Sequence, residues 1–242
     1  MPEVGNLSNY GQVERIMEQF VEKTFLDQPF FRSLLAGEWS RPFLQYFAWQ
    51  YAHYSANFPR VLGAAIAAME PIDDWWIPLA DNLWDEAGRG EPGRSHALIF
   101  RSFLVTVDPS ARNLHPTPGR WPAMGEGVRG ALHAFLEFFR NATPLEAMAA
   151  VGLGSELFAG RIMGVIGRGL RHPHYQTHGP LDTRFWDLHA MVDEPRHYQL
   201  CRNVLGQFAS PQDLARMVEV GQAIAWSEAQ MYQGIYLEGQ GR

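Results

Sequence analysis

Apolar residues recur at helical spacing along almost the whole chain, while the strict alternation of a half-buried strand is scarce. That pattern constrains the fold most tightly, because a segment phased for about 3.6 residues per turn cannot bury one face as a strand. Val13, Ile16, Met17, Phe20 and Phe25 mark one stripe of a first helix over 12–25. A short helix over 30–35 should stop at Gly37. A long one follows over 41–69, with Ser40 placed to cap it and Pro42 suited to its first turn; Pro59 should kink it. Further helices are expected over 73–87, 94–105 and 128–140. Thr143-Pro144-Leu145-Glu146 combines a cap, a first-turn proline and a capping-box glutamate, and opens a helix to about Leu170. The last two span 181–208 and 211–237. Seven or so helices with short connections make an all-α, single-domain bundle over residues 1–242. The proline-rich stretch 108–125 reads as the longest loop, and as a candidate lid.

At 242 residues and 46% hydrophobic, the chain can bury a large core. The formal charge is −6, and no run of Lys or Arg occurs. A nucleic-acid footprint and a basic membrane patch are therefore not expected. A lone cysteine, Cys201, excludes an internal disulfide and a cysteine-based zinc site. It reads most simply as a small buried hydrophobe. No signal peptide and no uncharged 18-residue apolar run are seen, so the cytoplasm is the expected compartment.

Chemistry enters where charged groups fall on faces that must turn inward. His189, Asp193 and His197 stand at i, i+4 and i+8, about 0°, 40° and 80° around a helix. Burying three titratable groups unpaired is costly, and a metal ion removes that cost. The plainer reading is a solvated face with a His–Asp pair. Pro195 should distort this turn, and a bulge there would exchange Asp193 for Glu194. Glu86 and His96 flank a Gly/Pro turn, so one ends a helix and the other opens the next. Asp85 and Glu91 beside them read as solvated charges. Glu156 lies in a run of apolar and small residues, where a carboxylate is either paired or metal-bound. The glycines and alanines of that helix imply close helix contacts or a backbone near a ligand. Together, three carboxylates and three histidines from separate helices suit two iron ions with open coordination positions.

These residues resemble the heme-oxygenase-like di-iron oxidase and oxygenase family. The resemblance rests on Gln50-Tyr51-Ala52-His53, Asn57-Phe58-Pro59-Arg60, Asp81-Asn82-Leu83-Trp84-Asp85-Glu86, His96 after a glycine-rich turn, Ser155-Glu156 and His189-x3-Asp193. It implies a heme-oxygenase-like seven-helix bundle, related to TenA and pyrroloquinoline-quinone-synthase folds. It also implies Glu86, His96, Glu156, His189, Asp193 and His197 as ligands of two Fe(II) ions per chain. The family usually places its last histidine three residues after the Asp, and here it is four. The chain is also similar to the chlamydial protein associating with death domains. That relative consumes its own Tyr and uses a nearby Lys; the matching positions here are Phe31 and Ile166, so such chemistry is not expected.

The implied function is O₂-dependent oxidation of a small amino-acid-like substrate: N-oxygenation, or hydrogen abstraction leading to desaturation or C–C cleavage. No catalytic residue beyond the metal ligands is expected. Arg161, and then Arg60, are the candidates for holding a substrate carboxylate. Tyr54, Phe58, Phe158 and Trp186 are candidate pocket walls, although aromatics so spaced are more often core. His53 reads as a core histidine, and His172, His174 and His178 as exposed loop residues. The family suggests a homodimer. The rival reading is a metal-free TenA-like hydrolase or cofactor-maturation enzyme, which needs a nucleophilic cysteine.

Overall fold

The computed structural model describes residues 7–113 and 121–242 and, of Glu194, the backbone alone. It is helical, with no strand among the described residues. The helices are α1 (Tyr10–Val21), α2 (Pro29–Leu35), α3 (Arg41–Ala67), α4 (Asp73–Glu86), α5 (His96–Val107), α6 (Glu126–Phe138), α7 (Pro144–Val151), α8 (Leu157–Leu170), α9 (Arg184–Leu188), α10 (Glu194–Leu205) and α11 (Pro211–Gly239). A π-helical turn, Gly152–Glu156, joins α7 to α8, and another, His189–Asp193, joins α9 to α10. With each joined pair taken as one rod, nine rods stand among the described residues, one for each of the nine segments read from the sequence and two more than a seven-helix bundle has. Proline and glycine bound the short ones: α2 opens at Pro29 and stops before Gly37, and Gly88–Gly93 separates α4 from α5. Gly88 has φ +69, and a Cβ there would meet the Arg94 carbonyl carbon at 2.4 Å, so the turn requires glycine.

The start signals act as read. Ser40 accepts from the Phe43 N–H at 3.1 Å, and Thr143 and Glu146 form a complete capping box. Pro59 lies within α3 and does not end it. Of the 108–125 stretch, 109–113 form a 3₁₀ turn, and the reading of 114–120 as loop or lid falls outside the described residues.

α11 packs against α1, α6, α7 and the 152–156 turn, α3 against α4, α5 and α6, and α10 against α4 and α7. One apolar core runs through them, centred on aromatics that include Phe47, Tyr51, Phe103, Phe185 and Trp186. The small residues of the α7–α8 rod serve packing. A Cβ on Gly152 would lie 2.6 Å from Cys201 Cβ, and one on Gly154 would lie 2.7 Å from Ile224 Cβ. The run Pro144–Leu170 is long and apolar enough to cross a bilayer, but most of it is buried inside the fold. Of the aromatics weighed as pocket wall or core, Trp186 is core: it is fully buried and stacks on Phe47.

Candidate metal centre

Glu86 is the last residue of α4 and His96 the first of α5, so the tight turn between them swings both side chains inward. Both are buried. His96 Nδ1 lies 2.9 Å from Glu86 Oε1, and His96 Nε2 lies 3.4 Å from Asp193 Oδ2. Burial alone would lower the His96 pKa. The hydrogen bond and charge of Glu86, aided by Asp193 and Asp85, outweigh it and raise the value. The cluster therefore favours positive charge at this point.

The third side chain is His189, and one donor atom each of Glu86, His96 and His189 lies within 4.8 Å of the others. His189 Nδ1 is 2.7 Å from the Phe185 carbonyl, which can only accept; Nδ1 therefore carries the proton and Nε2 presents a lone pair. Burial, with the charge of His96, holds this imidazole well below its ordinary pKa, so it is a neutral ligand base. The π turn that begins at His189 ends at Asp193. Such turns interrupt α-helices frequently at functional sites. Pro195 falls in the first turn of α10, where its missing N–H costs little. Asp193 Oδ2 is buried and makes no hydrogen bond. Burial pushes the Asp193 carboxyl up. The Glu194 side chain, the alternative to Asp193, lies outside the described residues.

Glu156 ends the other π turn and is almost fully buried. Asn82 donates to its Oε1 at 2.7 Å, and His197 Nδ1 stands 3.8 Å from its Oε2. His197 Nε2 lies 3.1 Å from Asp85 Oδ2. With that carboxylate accepting from Nε2, Nδ1 is the nitrogen that faces Glu156. Asp85 is no solvated charge: it is largely buried and ion-paired with Arg196 and Arg89. Of the six expected residues, Glu86, His96 and His189 thus meet in one group, the half-buried Asp193 approaches His96, and Glu156 stands beside His197. Their oxygen and imidazole donors, and the orphaned Asp193 oxygen, fit ferrous iron. Asp85 and Asn82 were missed because their partners lie on elements distant in sequence.

A small cavity of about 40 Å³ adjoins the cluster, room for roughly three waters. Glu86 and His189 form part of its wall. Tyr51, Tyr54, Phe58, Phe158, Phe185 and Tyr232 supply aromatic sides, and Ser155 and Glu228 are polar. Tyr54, Phe58 and Phe158 are where the sequence reading put them. Arg161 and Arg60 are not among the lining residues. Arg161 is half-exposed and paired with Glu22, because five residues past Glu156 turn a helix by about 140° to the opposite face. Arg60 is exposed and donates to Asn57 at 2.7 Å. Glu228, missed in the sequence, sits on the buried stripe Met217, Gly221, Ile224 and Tyr232 of α11, and that phase is the signal that identifies it. Tyr54 donates to its Oε1 at 2.9 Å, and Ser155 also donates to it. Burial pushes this carboxyl up to about 7, despite those two hydrogen bonds.

His53 is buried as read, with Nε2 on the Pro122 carbonyl at 2.8 Å, and His174 and His178 are exposed as read, but His172 is half-buried because its ring packs over Gly37. Cys201 is buried under Gly152, and burial, with the charge of Glu156, raises its thiol well above the ordinary range.

The sequence profile of a family described as iron-containing redox enzymes matches residues 45–227. A comparison with curated proteins returns no match. Among solved structures, a domain of unknown function with a heme oxygenase-like fold from Shewanella denitrificans is 14% identical, covering 97% of this chain and 95% of that one, with a TM-score of 0.70. A protein of unknown function from Nostoc punctiforme, similar to the chlamydial death-domain-associating protein, is 13% identical (95% and 99% covered, TM-score 0.70). A TenA homolog from Pseudomonas syringae is 11% identical (98% and 98% covered, TM-score 0.68). At these identities the likeness shows the heme-oxygenase-like fold.

Proposed function

The chain belongs to the family of iron-containing redox enzymes, and on that premise we propose that it is a non-heme di-iron oxidoreductase using O₂ on a small amine or amino-acid-like substrate. The observation that carries this reading is the convergence of Glu86, His96 and His189 beside an aromatic cavity.

Glu86, His96 and His189 would hold one ion, and Glu156 and His197 a second, with Asp193 between the two groups. Bound there, iron supplies one-electron chemistry with O₂ that amino-acid side chains lack. The protein's part is to hold those donors. The Phe185 carbonyl fixes the His189 tautomer, Asp85 orients His197, and Asn82 holds one oxygen of Glu156. The aromatic wall keeps bulk water from the reacting face and confines the substrate to a small volume.

The TenA-like structures favour a second reading, a metal-free hydrolase. That reading needs a reactive thiol, and the one cysteine is buried, with its proton held tightly. The di-iron reading therefore stands first.

Anaerobic ferrous titration, followed by mixing with O₂ and a panel of amines and amino acids, tests the proposal. Uptake of two ions per chain, with O₂ consumption that one panel member accelerates, is the expected result. Absence of iron uptake, with His189→Ala indistinguishable from wild type, would overturn it.

A further inference from the structure

Glu228 has no place in the metal-ligand set, yet it is a nearly fully buried carboxylate on the wall of the same cavity. Its described hydrogen-bond partners are neutral hydroxyls, Tyr54 and Ser155. Among the described residues, no Lys or Arg lines the cavity and no ion pair involves Glu228. A buried carboxylate without a counter-charge is costly, and a cation arriving in the cavity would relieve that cost. The walls around it are rings, with Tyr54 and Phe58 6.0 Å apart and Tyr232 and Phe158 also facing in. Ring faces attract ammonium groups. A carboxylate-bearing substrate would meet Glu86 and Glu228 and, among the described lining residues, no Lys or Arg.

We infer that the substrate is a small organic amine bound as its ammonium ion, the charged end against Glu228 and its carbon chain directed toward Glu86 and His189. Glu228 is then the specificity-determining residue, and it selects amines against carboxylates. This narrows the substrate class of the proposed function and rests on that reading for the chemistry. The binding site itself is separable from it.

Isothermal calorimetry with n-propylammonium, propionate and 1-propanol tests the inference, on chelator-treated protein and on ferrous-loaded protein under argon. The wild type should bind n-propylammonium in both states and prefer it to the other two probes. Glu228→Gln should weaken n-propylammonium by roughly tenfold or more in both states while taking up iron like wild type. Propionate binding as tightly, no n-propylammonium binding by the wild type, or full affinity in Glu228→Gln would each overturn it. Binding that vanishes on ferrous loading would overturn it too, since the cation would then have occupied the metal-site acids. Should Glu228→Gln misfold, Glu228→Asp carries the test. It keeps the charge but withdraws it by one methylene, and unchanged affinity overturns the assignment. Failed iron uptake would sink the oxidoreductase reading alone, because the chelated protein reports on the amine site by itself.

Discussion

Asp85 and His197 stand 112 positions apart in sequence, and their Oδ2 and Nε2 atoms are 3.1 Å apart in the fold. The same carboxylate is paired with Arg196 and Arg89, so it is anchored before it orients the imidazole. Partners of this kind typically contribute about 10–100-fold to metal affinity. Asp85→Asn should therefore weaken ferrous binding by about that factor while leaving the circular-dichroism spectrum unchanged. Anaerobic titration with a competing chelator measures it, and wild-type affinity in the variant would remove Asp85 from this role.

Glu228 gives stability a dependence on pH. Its carboxyl is raised to about 7 from an ordinary 4.5, first by burial. Between those values the folded chain keeps a proton that the unfolded chain has released. The group's contribution is fully present below pH 4.5 and is lost as pH rises through 7, by on the order of 3 kcal/mol. His189, whose value is lowered, acts with the opposite sign. It is common to wild type and Glu228→Gln and cancels in their difference. Urea denaturation of chelated protein should show the variant gaining on wild type between pH 5 and pH 8. Parallel curves would contradict the assignment.

Cys201 separates the two enzyme classes. Its Sγ is sealed beneath Gly152, and its thiolate is disfavoured. Cys201→Ala should keep both iron uptake and O₂-dependent turnover. A thiol reagent should label the wild type only after unfolding. Loss of all turnover in a folded Cys201→Ala protein would favour the hydrolase.

Two glycines predict opposite outcomes. A methyl group at Gly154 would press on Ile224 at 2.7 Å, whereas at Gly130 nothing lies within 4 Å. Gly154→Ala should cost about 1–3 kcal/mol by overpacking. Gly130→Ala, in the middle of α6, should gain up to about 1 kcal/mol from helix propensity. Thermal unfolding of the pair distinguishes them, and equal shifts would show that the contact between the 152–156 turn and α11 is looser than the geometry indicates.

Much of the fold was legible because helices announce themselves locally. The Thr143–Glu146 box, Ser40 and the stripe from Val13 to Phe20 each depend on neighbours within a turn or two. The six candidate ligands were legible for a different reason: acids and histidines within apolar runs carry a burial cost that must be met somewhere. What escaped depends on phase and on distant partners. Arg161 failed because it was counted along the helix and not around it. Asp85 looked like a surface acid because Arg196 and His197, which surround it, lie more than 100 positions away. The π turns had no signature in residue type.

Those two turns also make the centre depend on the spelling of the gene in an unusual way. A π turn is an α-helix carrying one surplus residue. Excising a single codon between His189 and Asp193 would let the rod relax to ordinary α geometry with little strain. The segment beyond would keep nearly its phase, because the turn takes up its surplus residue locally. What would be lost is the widened turn itself, at whose two ends His189 and Asp193 stand. For this protein, a missing alanine or methionine in that stretch would spare the helix and re-aim the two side chains at the ends of the turn, while composition and apolar content stayed almost the same.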